Sequence, residues 1–509
     1  MIENPIFPYQ RMELMTSKSN SNSFRKHTSE SNTSFKMNPE ELKSRLEEGQ
    51  HLMVFDIGEK NRFERRHIPG SAYAVCDSAA KKNIMPKLPK NIEIVLVSDD
   101  DEYSRQMAQM MAQIGLNTRY LQGGINAWKW DMAESSSEGN ISSIDLKEWL
   151  DQGNNGGDSL YLLDVREPDE FKEWNIEGSV NIPLSKYASS KESITDIPKA
   201  KRIVTVCPHG NRSTVAKYLL ERYGFNVGNL EGGLKSWNTS LEEAYNEFDI
   251  NKGKVRLYQI RRIGKGCMSY ILESDGDAAI IDPVYPIEYY LSKVSEIGAK
   301  ITKVFDTHQH ADHISAAVKL SEKTGSKLCL SGYEQYGQMS SPLHHGSLEK
   351  IGAIEMNVIH TPGHTDGSLT LLLQEKDVSL LFTGDTLFVE GVGRPDLRDK
   401  SREFSEKLYD TLHRKILPLP DNVLVFPSHT DKYAKAGEII SADLGWLRKN
   451  VNLLQLPKDR FVERIVSQTM ATPPNYREII SINSGKVPVP ETSSDIFELE
   501  FGPNRCNVS

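Results

Sequence analysis

ITKVFDTHQHADH, residues 301–313, places four potential metal ligands directly after a short apolar run. Alternate side chains of an extended segment face the same way, so His308 and His310 can point together into one pocket. Asp312 and His313 can enter that pocket from the turn that follows. A strand that ends in such a cluster predicts a metal site.

Three further potential ligands lie downstream, each near the end of a strand-like run and beside small or turn-forming residues. They are His364 in HTPGHTDGS, Asp385 in FTGDTLF and His429 in FPSHT. Small residues let the backbone and the side chains approach an ion closely. A single histidine is more often an ordinary core or surface residue, but this many charged and imidazole groups buried without an ion would be costly. The whole set therefore predicts a metal centre.

The unbroken His-x-His-x-Asp-His pattern resembles the motif of the metallo-β-lactamase superfamily. The resemblance covers residues 253–480 and implies an αββα sandwich for this part of the chain. Within the superfamily it is most similar to the persulfide dioxygenases. Their Gly-Arg-x-Asp segment after the metal aspartate is matched by Gly393, Arg394, Pro395 and Asp396.

This resemblance implies one Fe(II) ion per chain, held by His308, His364 and Asp385. Two histidines and one carboxylate on one face of an ion leave positions open for oxygen chemistry. The other members of the set would orient these ligands or, in a hydrolase with two zinc ions, complete a second metal site; they are His310, Asp312, His313 and His429. The resemblance also places Arg394 beside an anionic carboxylate of a glutathione-like thiol, with an ion pair to Asp396 as the alternative.

An internal repeat of about 109 residues precedes this part of the chain. FDIGEKNRFERRHIPGSA, from Phe55, recurs as LDVREPDEFKEWNIEGSV from Leu163, and LQGGINAW, from Leu121, recurs as LEGGLKSW from Leu230. Both copies alternate short apolar strands with amphipathic helices, which predicts two α/β domains with parallel sheets. We place these domains at residues 37–133 and 141–247, with the polar linker AESSSEGN between them.

The second copy carries a candidate nucleophile, Cys207, directly after the apolar run RIVTV. Its loop, CPHGNR, ends at Arg212 and leads into a helical segment whose N-terminus adds positive potential. That environment stabilises the thiolate, the nucleophilic form of cysteine. The segment resembles the active loop of the rhodanese sulfurtransferases, and its six-residue length favours sulfur transfer over the dephosphorylation carried out by related phosphatases with a longer loop. A buried structural cysteine is the alternative.

The first copy differs where this chemistry would occur. Its equivalent segment, VSDDDEY, has Ser98 in place of the cysteine and Tyr103 in place of the arginine. The three aspartates between them would repel an anionic sulfur donor. The first domain is therefore predicted to be an inactive rhodanese-like module that serves packing, docking or dimerisation.

Composition excludes several other classes of protein. The 509 residues carry a net charge of −9 without a basic block, so nucleic acid is not an expected partner. We expect neither a membrane span nor a secretion signal, because no apolar run approaches the required length. Five scattered cysteines argue against a disulfide framework and for the reducing cytoplasm. Residues 1–36 are predicted to form a disordered tail, and residues 481–509 a C-terminal extension.

These features predict a sulfur-metabolising enzyme. Cys207 would take the outer sulfur of a donor such as thiosulfate and pass it to a low-molecular-weight thiol. The iron centre would then oxidise the product, for example glutathione persulfide, with O2 to sulfite and thiol. The alternatives are a glyoxalase II-like thioester hydrolase with two metal ions and a non-enzymatic sulfur sensor or scaffold with a structural metal. Each of these three hypotheses is compatible with a homo-oligomer.

Overall fold

A computed structural model describes residues 35–508 except 51, 75, 77–84, 86–87, 89, 135–138, 153–159, 188–193, 200, 252, 338–341, 376, 396–399 and 469–471. Asp396, nearly all of the predicted tail and the middle of the predicted linker fall outside these described residues. None of the helices in the described part of the chain combines the length and the apolar character that crossing a bilayer requires.

The two sequence repeats fold as two parallel five-stranded sheets with equivalent strand order. The first sheet, in the order β1-β5-β4-β2-β3, contains β1 (Lys36–Met37), β2 (Leu52–Asp56), β3 (Ala72–Tyr73), β4 (Glu93–Val97) and β5 (Asn117–Leu121). The second, in the order β6-β10-β9-β7-β8, contains β6 (Asn140–Ile141), β7 (Leu160–Asp164), β8 (Val180–Asn181), β9 (Arg202–Val206) and β10 (Val227–Leu230). The predicted pair of parallel α/β domains is confirmed.

Helices cover both faces of these two sheets. They are α1 (Pro39–Glu47), α2 (Lys60–Arg65) and α3 (Asp101–Gln113) in the first domain, and α4 (Ser143–Gln152), α5 (Pro168–Glu173), α6 (Leu184–Tyr187), α7 (Asn211–Arg222) and α8 (Gly233–Thr239) in the second. Because each sheet is covered twice, the inner strand β2 is buried at all five positions. Residues of both domains, among them Met111 and Leu219, belong to one continuous apolar cluster, so the domains pack directly on each other.

The rest of the chain contains two mixed sheets. One has seven strands, β11 (Leu241–Ile250), β12 (Gly253–Arg262), β13 (Met268–Ser274), β14 (Asp277–Ile281), β15 (Lys300–Phe305), β16 (Lys327–Ser331) and β17 (Pro342–Leu343), paired in chain order. The other has six strands in the order β18-β19-β20-β21-β23-β24. These are β18 (Leu348–Ile351), β19 (Ile354–His360), β20 (Leu369–Gln374), β21 (Ser379–Gly384), β23 (Leu424–Pro427) and β24 (Ala442–Asp443), while the short β22 (Val392–Gly393) pairs with β25 (Asn507–Val508).

These two sheets form the inner layers of the predicted αββα sandwich. One apolar cluster joins Leu257 and Tyr270 of the seven-stranded sheet to Val358 and Phe382 of the six-stranded sheet. The outer face of the first sheet packs on α9 (Ile287–Glu296), α10 (Ala317–Thr324), α14 (Tyr476–Asn483) and α15 (Ser493–Leu499). The outer face of the second packs on α11 (Ser401–Thr411), α12 (Leu444–Asn450) and α13 (Lys458–Ser467).

Two chain segments join the sandwich in ways that the sequence patterns did not specify. Strand β11 pairs with β12 along its whole length, so residues 241–247, which the sequence placed with the second repeat, belong to the seven-stranded sheet. The C-terminal extension contributes α15 to one outer face and β25 to the pair with β22. It therefore lies against the sandwich.

Candidate metal centre and reactive cysteine

The predicted metal ligands converge because each follows the end of a strand at one edge of the sandwich. His308 and its neighbours follow β15, His364 follows β19, Asp385 follows β21 and His429 follows β23. Strand β21 runs parallel to β23, so their C-terminal ends meet at the same edge. All seven predicted side chains are buried there; they are His308, His310, Asp312, His313, His364, Asp385 and His429.

Three donor atoms form a compact set that one ion can fill. The Nε2 atoms of His308 and His364 lie 3.7 Å and 3.6 Å from Oδ2 of Asp385. Two ligand atoms that are each about 2.1 Å from one ion can be at most about 4.2 Å apart, so these spacings fit. Oδ2 of Asp385 is buried and has no hydrogen-bond partner among the described residues. The donor set fits the predicted two-histidine, one-carboxylate site.

Hydrogen bonds fix both histidines with Nε2 free to bind metal. Nδ1 of His364 lies 2.7 Å from the carbonyl oxygen of Arg394 and must donate to it. Nδ1 of His308 lies 2.9 Å from Oγ1 of Thr307, and this hydroxyl donates its proton to Asp282 at 2.8 Å. The hydroxyl oxygen therefore accepts from His308. Burial holds the pKa of His364 below its usual value and that of His308 well below it, which keeps both rings neutral.

His429 connects two carboxylates through both of its ring nitrogens. Its Nδ1 lies 2.7 Å from Oδ1 of Asp385, and its Nε2 lies 3.0 Å from Oδ2 of Asp312. Burial opposes protonation of His429, but the charges of the two aspartates outweigh it and raise its pKa well above the usual value. In this state His429 donates two hydrogen bonds and offers no lone pair to an ion.

A second group of potential ligands lies beside the first. Ligand atoms of Cys267, Asp312, His313 and His429 are within 4.8 Å of one another. Sγ of Cys267 lies 3.3 Å from Oδ2 of Asp312, and burial raises the pKa of this thiol. This group could hold a second ion if His429 gave up its proton.

Two glycines allow the close approaches that the centre requires. A Cβ atom at Gly393 would lie 1.8 Å from the carbonyl oxygen of Asp385, and one at Gly384 would lie 2.5 Å from Oγ1 of Thr307. Gly384 also has a φ of +53°, which disfavours other residues. Arg394, which follows Gly393, is fully buried, and its Nη1 donates to the carbonyl oxygen of Arg505 at 3.0 Å. The C-terminal extension therefore covers the predicted substrate-binding arginine.

Cys207 lies between β9 and α7, as predicted. Its side chain is buried, and Oγ of Ser213 lies 3.2 Å from its Sγ. Arg212 is held by two hydrogen bonds of 2.7 Å and 2.8 Å to the carboxylate of Glu170. The loop stands directly before the N-terminus of a twelve-residue helix, a position at which positive potential favours bound anions.

The equivalent loop of the first domain has a different internal structure. Oγ of Ser98 donates to the carbonyl oxygen of Asp100, and Nε of Arg62 donates to Asp99 at 3.0 Å. Asp100 caps the N-terminus of α3 by accepting from the amide of Tyr103 at 2.9 Å. Aspartates thus take the place where the second domain has its cysteine loop.

A cavity of 570 Å³ lies between the two rhodanese-like domains. The second domain contributes His209, Arg212 and Tyr218 to its lining, and the first contributes Phe63 and Tyr73. The first domain therefore forms part of the surroundings of the cysteine loop.

Several residues of the metal centre were not found by sequence reasoning. Asp282 accepts from Thr307 and lies 3.4 Å from Nε2 of His310. It directly follows β14 in AAIIDPVY, so the strand-end pattern that identified His308 could have identified it too. Cys267 and Cys506 carry no such local signal, although Cys506 lies within 4.8 Å of ligand atoms of Asp385 and His429.

Comparison with known families agrees with this division of the chain. Residues 38–131 and 145–240 match the rhodanese-like domain, and residues 262–429 match the metallo-β-lactamase superfamily. These ranges contain the cysteine loop and all seven predicted metal-centre residues.

Individual relatives match only part of the chain. A mitochondrial persulfide dioxygenase of Mus musculus is 33% identical over 156 residues, which are 30% of this chain and 59% of the relative. The hydroxyacylglutathione hydrolase GloC of Haemophilus influenzae is 29% identical over 196 residues, 34% of this chain and 90% of the relative. The crystal structure of ETHE1 from Myxococcus xanthus is 28% identical with a TM-score of 0.40, covering 45% of this chain and 96% of that one.

Proposed function

Because the chain joins two rhodanese-like domains to a domain of the metallo-β-lactamase superfamily, we propose that it transfers sulfur at Cys207 and oxidises thiol persulfides at the metal centre. The domain content indicates a metal-binding enzyme of sulfur metabolism. One observation favours the dioxygenase: His308, His364 and Asp385 offer three free donor atoms to one ion, whereas both ring nitrogens of His429 are hydrogen-bonded to carboxylates.

In the proposed transfer, the Cys207 thiolate attacks the outer sulfur of thiosulfate. The bond between the two donor sulfurs breaks, sulfite leaves with the electron pair, and Cys207 carries a persulfide. A low-molecular-weight thiolate such as glutathione then attacks the outer sulfur and regenerates the Cys207 thiolate. The helix N-terminus behind the loop stabilises the anionic forms of Cys207.

In the proposed oxidation, a thiol persulfide reacts with O2 and water to give thiol, sulfite and two protons. The outer sulfur loses four electrons and O2 gains them. One Fe(II) ion would supply the redox chemistry with O2. The carbonyl oxygen of Arg394 orients His364, Thr307 orients His308, and His429 holds Asp385 with Oδ2 towards the ion.

The proposed contact between Arg394 and a carboxylate of the thiol has a structural requirement. Arg394 is buried and donates to Arg505, so a substrate could reach its guanidinium only if the segment around Arg505 moved. A two-pronged interaction with a carboxylate would offset the loss of this contact.

The alternative is a glyoxalase II-like thioester hydrolase with two zinc ions. It is favoured by the second group of ligand atoms, in Cys267, Asp312, His313 and His429, and by the similarity to a hydroxyacylglutathione hydrolase. In that case His429 would be neutral and would bind an ion, and a metal-activated water would cleave the thioester.

We place the proposed reactions in the reducing cytoplasm. Cys207, Cys267, Cys329 and Cys506 are not joined in disulfides in the structure. Free thiols are typical of compartments in which low-molecular-weight thiols stay reduced, and such thiols are the proposed sulfur acceptors.

The decisive experiment supplies the purified chain with two substrates in parallel. With glutathione persulfide, the proposal expects oxygen uptake and sulfite release in equal amounts. With a glutathione thioester, it expects no hydrolysis above the rate without enzyme. Thioester hydrolysis without oxygen uptake would establish the alternative.

A further inference from the structure

The C-terminal segment Ser494–Cys506 contacts both the metal domain and the cysteine loop. The buried side chain of Glu500 anchors the middle of this segment in the metal domain. Its Oε2 lies 2.7 Å from Nη1 of Arg262. The other carboxylate oxygen of Glu500 accepts from the amide of Ile314 at 2.6 Å. At the end of the segment, Cys506 lies beside Asp385. The sandwich therefore holds this segment in a fixed position.

Glu498, two residues before this anchor, reaches the mouth of the second rhodanese-like domain. Its Oε2 lies 3.2 Å from Nε2 of His209 and 2.9 Å from Nζ of Lys235. His209 stands two positions after Cys207 in the loop CPHGNR. A carboxylate from the metal domain is thus paired with two basic side chains at the sulfurtransferase loop.

Phe501 extends the same contact with an aromatic surface. Its ring centroid lies 5.4 Å from that of His209 and 5.9 Å from that of Trp174. Next to it, the carbonyl oxygen of Gly502 accepts from the buried Asn238 at 2.8 Å. These contacts fix Phe501 against the second domain, where it remains partly exposed beside the loop.

The pairing of Glu498 changes the charge that a sulfur donor meets. Arg212 is already paired with Glu170, and Glu498 forms an ion pair with Lys235 and contacts His209. Burial favours protonation of Glu498, but the hydrogen bond from Lys235 and the charge of His209 outweigh it and lower its pKa. The carboxylate is therefore ionised at neutral pH and reduces the positive potential at the mouth.

We propose that the segment is a specificity-determining part of the sulfurtransferase site, through Glu498 and Phe501. Glu498 limits binding of a small inorganic dianion such as thiosulfate. Phe501 favours an organic thiol, whose carbon skeleton can pack on the aromatic edge. This inference rests on the proposed sulfur transfer at Cys207 and names the class of thiol partner that this site prefers.

The test measures sulfur transfer from thiosulfate to glutathione by the full-length, metal-loaded chain without oxygen, so that the product is not consumed. Glu498→Gln should lower the KM for thiosulfate by about two- to tenfold and the KM for glutathione by clearly less, because it removes one negative charge near a compact dianion, whereas the charges of glutathione are spread over a larger molecule. The difference in the KM for thiosulfate between Glu498→Gln and the unaltered chain should shrink at high salt, since His209 and Glu498 are partly exposed and salt screens their charges. A purely structural role would not produce this salt dependence.

The complementary variant is Phe501→Ala, which should raise the KM for glutathione by about threefold or more without changing the KM for thiosulfate. Glu491→Gln, an exposed carboxylate just before α15, is the matched control and should behave like the unaltered chain. Equal changes in both KM values, or no change in either, would overturn the inference. If the unaltered chain transferred no sulfur, the proposed function itself would fail, which is a separate outcome.

Discussion

Nδ1 of His429 lies 2.7 Å from Oδ1 of Asp385, while Oδ2 of the same carboxylate faces Nε2 of His308 and His364. Asp385 can therefore serve both as the proposed metal ligand, through Oδ2, and as the partner of the buried His429, through Oδ1. We expect Asp385→Asn to lose the metal and all oxygen uptake, because a neutral amide is a poorer ligand for a hard cation. Sulfur transfer at Cys207 should persist.

Asp366→Asn provides a matched control for this variant, because Asp366 is a partly exposed carboxylate that pairs with Lys407. Metal content by elemental analysis should be unchanged in the control and close to zero in Asp385→Asn. Retention of a full complement of metal by Asp385→Asn would contradict its place as a ligand.

His429→Gln distinguishes a one-metal centre from a two-metal centre. If His429 acts only by holding Asp385 and Asp312, the variant should still bind the same number of ions, with metal affinity or activity reduced by about 10- to 100-fold. Metal content and affinity can be measured by titration of metal-free protein. A fall from two ions to one would support the binuclear alternative.

Only the second rhodanese-like domain should carry sulfur. Cys207→Ser should reduce transfer from thiosulfate by at least about a thousandfold, since the nucleophile is lost. Adding Ser98→Cys to this variant should not restore it, because Asp99 and Asp100 occupy the first-domain loop. Mass spectrometry of donor-treated protein should find one added sulfur on the peptide with Cys207. Productive sulfur on a peptide from the first domain would refute the assignment.

The first domain should become less stable in acid because of His67. This side chain is buried, stacks on Phe63 with a centroid distance of 4.2 Å, and contacts Tyr218 of the second domain. Burial lowers its pKa, so the folded state favours the neutral ring. In the unfolded chain His67 binds a proton below about pH 6.5. The stabilisation that comes from burying its neutral ring is therefore present above that pH and is lost as the pH falls below it.

Between about pH 7.5 and pH 5.5, the free energy of unfolding of the first domain should therefore fall less in His67→Phe than in the unaltered chain. Below about pH 6.5 the two proteins should diverge by at most about 1.4 kcal/mol per pH unit, the effect of one proton. The measurement is the urea concentration at which first-domain peptides become sensitive to a protease, determined by mass spectrometry at both values. Identical pH dependence in the two proteins would argue against a neutral, buried His67.

The positions of the candidate metal ligands could be predicted from the sequence because their signals are local. Alternation within THQHADH and the turn residues around His364 and Asp385 specify where these side chains lie relative to their own strands. The ion pair between Asp56 and Arg62 is equally local, because both residues belong to the same strand-turn-helix unit.

The remaining contacts depend on distant parts of the chain. Cys506 reaches the metal centre through contacts with distant residues, since its carbonyl oxygen accepts from the amide of Arg394 and the nearby Glu500 pairs with Arg262. The seven-residue helix before it is too short to carry a clear periodic pattern. The sequence places residues 241–247 of β11 with the second repeat, because the hairpin that pairs them with β12 is recognisable only in the folded chain.

The most direct test of the whole account measures oxygen consumption from two starting points in the unaltered chain and in Cys207→Ser. Started with thiosulfate plus glutathione, consumption should require Cys207; started with preformed glutathione persulfide, it should proceed at the same rate in both proteins. This pattern is expected because the cysteine loop and the metal centre lie in separate domains, whose effects should add. The account would be contradicted if Cys207→Ser lost oxygen uptake from preformed persulfide as completely as it loses oxygen uptake from thiosulfate plus glutathione. Cys207 would then be part of the oxygen chemistry itself.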